Sequence, residues 1–142
     1  MSSNKFRFEF QGMESLRRRI QALPEEFVTA SDPLVIAHAN AAAAEVATVY
    51  AAHVHTGRLQ AGLAVQVRNT RKGVAATVVS RAPHVHLFED GTKVRATQSG
   101  ANRGAMPAFH VFIPAMQRAR EALKRDVRAL IESYGLEVKG AA

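Results

Sequence analysis

Leu63-Ala64-Val65-Gln66-Val67-Arg68-Asn69-Thr70-Arg71-Lys72-Gly73-Val74-Ala75-Ala76-Thr77-Val78-Val79-Ser80 is the stretch that decides the fold. Leu63, Val65 and Val67 alternate with Ala64, Gln66 and Arg68, the period of a half-buried strand. Residues 69–73 then read as a hairpin connection and residues 74–80 as the returning strand. The return is apolar on both sides, which predicts a central place in the sheet. On the N-terminal side, Phe6, Phe8 and Phe10 alternate with Arg7 and Glu9 as a further strand, broken at Gly12. On the C-terminal side, residues 82–88 read as extended structure resumed after Pro83. Glu89-Asp90-Gly91-Thr92 then turns the chain.

Helical spacing fills the rest. Leu16, Ile20, Leu23 and Phe27 recur every three or four residues, with Arg17, Arg18 and Arg19 on the solvated side and Pro24 as an interruption. Asp32-Pro33 has the form of a helix start, an N-cap acceptor followed by proline at the first helical position, and predicts a helix over 33–52. Its Ala41, Ala42, Ala43 and Ala44 favour helix and allow close approach of a neighbour. Thr56-Gly57-Arg58-Leu59 reads as a short turn or a single helical turn. Phe112, Met116, Ala119, Leu123, Val127, Leu130 and Tyr134 mark a long amphipathic final helix, started by Pro114 and ended by Gly135. Residues 93–106 are small and polar, a mobile loop expected to order on assembly. Residues 136–142 read as a short flexible tail. The expectation is one α+β domain over 1–142: a small antiparallel sheet packed against helices, with a long C-terminal amphipathic helix.

Composition narrows the functional classes. The chain has 142 residues and no cysteine, which excludes disulfide frameworks, thiolate zinc sites and cysteine nucleophiles. No apolar run approaches the ~20 residues of a membrane span; the longest is interrupted by His38, Asn40 and Glu45, and a soluble protein made inside the cell, with no membrane partner, is expected. The net charge of +7 is unevenly spread. Residues 1–67 are neutral, whereas residues 68–103 carry Arg68, Arg71, Lys72, Arg81, Lys93, Arg95 and Arg103 against Glu89 and Asp90 alone. A basic middle third points to phosphate or to an acidic protein partner.

Reaction chemistry finds little support. His53-x-His55, His84-x-His86 and His110 could in principle share a metal, but few carboxylates accompany them, and no metal site is expected. No serine sits in a nucleophile elbow, and no glycine pattern cradles phosphate, so neither a cofactor nor an enzyme is expected. Glu89 beside Asp90 reads as turn chemistry rather than an acid–base pair. The 68–103 segment could offer a cationic ribbon to phosphates. With two tyrosines and no tryptophan there is no stacking platform for single strands.

Three segments in order carry a resemblance. They are His55-Thr56-Gly57-Arg58-Leu59, then Leu87-Phe88-Glu89-Asp90-Gly91-Thr92, then Met106-Pro107-Ala108-Phe109 leading into Phe112-Ile113-Pro114-Ala115-Met116. Together they resemble the tail-component (tail-completion, or neck) family of long-tailed lambdoid bacteriophages and prophages, over about residues 10 to 135. His84-Val85-His86 departs from the family's Tyr-Ala pattern before the Glu-x-Gly-Thr turn, and the 93–106 loop is unusually basic. The resemblance implies a structural virion protein at the head–tail junction, assembled in the bacterial cytoplasm. It would be one subunit of a ring of about six copies, meeting connector, tail-terminator and tail-tube proteins, with non-specific contact to packaged DNA. The alternative is a stand-alone basic DNA-binding protein encoded in a prophage. Each shared residue has a backbone reason: Thr56 to cap the turn that Gly57 permits, Glu89 and Thr92 to shape a turn in which Gly91 takes positive φ, and Pro114 to pre-set the last helix.

Overall fold

The computed structural model describes residues 6–9, 25–53 and 56–135. In chain order these form β1 (Phe6–Glu9), α1 (Glu25–Ala52), α2 (Arg58–Ala61), β2 (Leu63–Thr70), β3 (Gly73–Ser80), α3 (Val85–Asp90) and α4 (Phe112–Ser133). The expected helix around Leu16, Ile20 and Leu23, the tri-arginine, His55 and the 136–142 tail lie outside the described residues.

The sheet has three strands in the order β1-β3-β2, all antiparallel. β3 is central, as its apolar run predicts. Leu63 pairs with Ser80 and Thr70 with Gly73, which leaves Arg71 and Lys72 as the two-residue turn. The strands therefore run closer to the turn than expected, and Asn69 belongs to β2. Thr70 ties the turn: its hydroxyl donates to the Gly73 carbonyl at 2.6 Å and accepts from the Lys72 N–H at 3.3 Å.

α1 packs on the sheet, chiefly on β3, and α4 packs on α1, giving the expected α+β architecture. From α1 come Phe27, Val35, Ala39, Ala42, Val46 and Tyr50, stepping by three, four, seven or eight residues down one stripe. α4 supplies Phe112, Met116, Ala119, Leu123, Val127 and Ile131, and β3 supplies Ala76 and Val78. Of the positions expected on the core stripe of α4, Leu130 is half-buried and Tyr134 is 40% exposed, its ring edge-on to Phe27 at 5.8 Å. By length and composition alone α1 could cross a membrane; its apolar stripe is taken up by this core.

Two expectations are corrected. Asp32-Pro33 does not start a helix, because α1 begins at least as early as Glu25 and carries Pro33 inside it. An interior proline costs about 3 kcal/mol, but the turns before it bury Phe27 at 1% exposure, worth about 1.5–3 kcal/mol. The Thr29 and Ser31 hydroxyls also return to helix carbonyls, at 3.1 and 2.9 Å. Asp32, freed from capping, accepts the Val74 N–H at 2.9 Å and pins α1 to the start of β3. Within 82–88, expected as extended, residues 85–88 join Glu89 and Asp90, expected in the turn, to form α3 instead. Val85 and Phe88 are both buried and stand three apart, a helical spacing that the alternation of His84, Val85 and His86 disguised.

Residues 93–106, expected as an irregular loop, form a paired ribbon. Ala96 bridges Asn102, and backbone bonds join Thr92 to Met106 (2.9 Å), Arg103 to Arg95 (2.7 Å) and Thr97 to Ala101 (2.9 Å). The strands reverse at 97–100, where the Gly100 N–H donates to the Thr97 carbonyl at 2.9 Å. Between 93 and 105 every residue except the half-buried Thr97 is exposed. We call this ribbon the arm.

Candidate functional site: a clamped base and its basic arm

The arm leaves the body between α3 and α4, and its base is built around one carboxylate. Glu89 ends α3's buried side and is 4% exposed. Its carboxylate accepts the Tyr50 hydroxyl at 2.8 Å, the Val111 N–H at 2.7 Å and the Phe112 N–H at 3.1 Å. The last two are among the first donors of α4, which have no partner within a helix. An anion there also meets the positive end of the helix dipole. Glu89 therefore serves as the cap of α4 from 23 residues upstream, a role that no local N-cap side chain fills. Burial, and next the Glu89 carboxylate, push the Tyr50 phenol well above its usual range, so it remains a donor.

The backbone around Glu89 is tied as well. The His110 N–H donates to the Glu89 carbonyl at 3.2 Å, and the Phe109 N–H to the Phe88 carbonyl at 3.1 Å. Phe88 and Phe109 stack with centroids 4.5 Å apart, and the His53 ring stands edge-on to Phe109 at 4.6 Å. His110 has φ of +48°, an unusual conformation for a residue with a side chain. It bends the chain into α4 and is held by these bonds. Gly91, at φ +74°, permits a close approach: a Cβ there would lie 2.7 Å from the Met106 carbonyl oxygen and 2.8 Å from the Ala108 nitrogen. Thr92 completes the base, its hydroxyl accepting the Met106 N–H at 2.9 Å.

The other expected turn residues are placed as follows. Gly57, at φ +68°, is itself the N-cap residue of α2, and no side chain caps that helix. Thr56 is exposed, so its expected capping role is corrected: Gly57 alone provides the reversal. Pro114 is the third residue of α4, which starts two residues earlier than expected at Phe112; a proline in the first turn gives up only a donor that has no helical acceptor.

All seven expected contact cations are exposed, and none forms an ion pair among the described residues. They do not make one continuous ribbon. Arg68, Arg71 and Lys72 gather at the β2–β3 turn, whereas Arg81 follows the far end of β3, about 26 Å away at 3.3 Å per residue. Lys93, Arg95 and Arg103 come together on the arm. Asp90 is exposed, and the oxygens of Glu89, considered with it as an acid–base pair, are occupied by the Tyr50 hydroxyl and the Val111 and Phe112 N–H groups. Among the described residues no three His, Asp or Glu side chains converge as metal ligands.

Tyr50, His38 and Glu45 were not singled out as site residues by sequence reasoning, and Asp32 was read only as a helix cap. Tyr50 could have been assigned to the core, because it continues the stripe of Val35, Ala39, Ala42 and Val46. His38 and Glu45 line a groove of about 650 Å³ between α1 and α4, where His38 Nε2 meets Asp126 Oδ2 at 2.6 Å and Glu45 pairs with Arg118. Along its rim the Lys124 ammonium holds Glu121 below the usual carboxylate range. Apart from Arg125, the charges lining the groove are paired, over an alanine floor.

No family model, curated protein or solved structure matches the chain.

Proposed function

We propose that the chain is a structural subunit of a tailed phage or prophage particle, one copy of a ring at the head–tail junction that completes the tail or joins it to the connector. The observation that supports this reading best is the arm. Among the described residues its backbone hydrogen bonds run only within itself, while its root is fixed by Glu89, Gly91 and Thr92. A stiffly rooted, exposed ribbon adds nothing to its own core and is suited to reach a neighbour. Two of the three segments that carry the resemblance, residues 87–92 and 106–116, build this root and the entry to α4, so their residues act as backbone-positioning groups. Head-to-tail contacts between identical copies close a ring when the rotation closes.

The test is the mass of the purified chain with and without a tail-tube protein, together with its detection in mature particles. A closed multiple of the chain mass and presence in particles are expected. A persistent monomer, absent from particles and tight on duplex DNA, would overturn the reading in favour of a stand-alone DNA-binding protein.

A further inference from the structure

An isolated two-stranded ribbon is marginally stable in water, so the arm needs a surface to lie on, and its register says which. Ala96 lies opposite Asn102 and Thr97 bonds to Ala101, which sets Arg95 opposite Arg103; nearer the root the ladder is irregular, the Arg95 N–H donating to Gly104 at 3.1 Å and the Thr92 N–H to Met106 at 2.9 Å. Side chains alternate between faces along each strand. Arg95 and Arg103 therefore share one face, with Lys93 two residues before Arg95, while Ala96 and Asn102 share the other. Opposed residues hold their Cβ atoms about 5 Å apart, and residues two apart on a strand are separated by about 6.7 Å. Three cations are thus crowded together where like charges repel. Nothing nearby in sequence relieves them, because residues 91–120 contain no aspartate or glutamate.

The rest of the arm fits one kind of anion. Ala96, Gly100, Ala101, Gly104 and Ala105 keep the ribbon slim, and a duplex groove about 12 Å wide admits a two-stranded ribbon. Thr97, Gln98 and Ser99 supply neutral hydrogen-bonding groups at the tip. A protein surface would call for apolar area beside the charges, yet within residues 93–105 Val94, at 69% exposure, is the one large apolar side chain.

We propose that the exposed Lys93, Arg95 and Arg103 of the arm bind duplex DNA through its phosphates, without reading bases. This deepens the reading above by assigning DNA contact to the arm rather than to Arg68, Arg71 and Lys72, and it does not depend on the ring closing. The full chain is titrated into two labelled duplexes of unrelated sequence over a series of salt concentrations. Equal affinity for both is expected, falling with salt at about 0.9 log units per log unit of salt for each phosphate neutralised. The variant Lys93→Ser/Arg95→Ser/Arg103→Ser should lower that slope by about 2.7, with an unchanged circular dichroism melt. The variant Arg68→Ser/Arg71→Ser/Lys72→Ser should leave it unchanged. The proposal is overturned if the wild-type chain binds neither duplex, if the arm variant retains the wild-type slope, or if the arm variant keeps DNA affinity but loses docking on a tail-tube protein. Native mass of the same samples reports ring formation separately, so either idea can fail alone.

Discussion

Replacing Glu89 by alanine should damage the fold more than any exposed substitution, and the geometry sets the scale. The carboxylate serves three donors, Tyr50 Oη–H, Val111 N–H and Phe112 N–H, at 2.7–3.1 Å. Each donor left buried and unmet costs about 1–3 kcal/mol. Losing the anion at the α4 N-terminus adds up to about 2 kcal/mol. Allowing for water reaching the half-buried Val111, Glu89→Ala should lose about 4 kcal/mol, a large share of the ~5–15 kcal/mol of a typical domain. Glu89→Gln keeps the volume and one acceptor oxygen but points an NH₂ group at donors, and should lose about 2 kcal/mol. Tyr50→Phe removes one hydrogen bond to a charged group, for about 1.5 kcal/mol. Urea unfolding followed by circular dichroism reads all three variants. The double variant Tyr50→Phe/Glu89→Gln should show a coupling of about 1 kcal/mol. A loss below about 1 kcal/mol for Glu89→Ala would refute the reasoning, because hydrogen-bonded donors cannot be orphaned in a closed core so cheaply.

Other expectations follow from the same structure. Gly91→Ala combines positive φ with a Cβ within 2.8 Å of two backbone atoms, and should lose well over 2 kcal/mol. Gly100→Ala, at φ +82° in open space, should lose only about 1 kcal/mol by the same urea assay; equal losses would remove the close-approach argument. Pro33→Ala should raise the urea midpoint, by up to about 3 kcal/mol of stability, because it restores a donor inside α1; a lowered midpoint would mean that a helix does start there. Above about pH 10 the unfolded chain releases a tyrosine proton that the raised Tyr50 phenol retains. Stability from this group is complete below that pH and falls as pH rises through it. Tyr50→Phe should show a shallower alkaline decline in urea midpoint than wild type, and identical declines would sink the account.

The parts of the fold governed by local periodicity were legible in the sequence. Val65 and Val67 on β2, the apolar run of β3 and the stepped apolar positions of α4 each point to one element type, whereas the connection expected over 69–73 closes as the two-residue turn Arg71-Lys72. The errors arose where a local signal was outweighed by a distant contact. Asp32-Pro33 has every mark of a helix start, but Asp32 is engaged by Val74, forty-two residues away, and Phe27 needs its turn of helix to reach the core. The alternation around Val85 imitates a strand because two polar histidines flank a single buried residue. At the candidate site, glycine chemistry made Gly57 and Gly91 visible. Glu89 was seen only as a turn residue, since its real partners lie on two other helical segments and no spacing rule connects them. The basic arm was legible as charge but not as shape, because small residues with no hydrophobic alternation conceal a ribbon.

The shared carboxylate at the root of the arm also has a mechanical meaning. A pull or twist applied at the tip passes through Thr92 and Gly91 to a single residue that grips the start of one long helix and the tyrosine of the other. Torque at the periphery is thereby delivered to both load-bearing rods of the body at once, and the ribbon acts as a lever with its fulcrum in the core rather than as a tether.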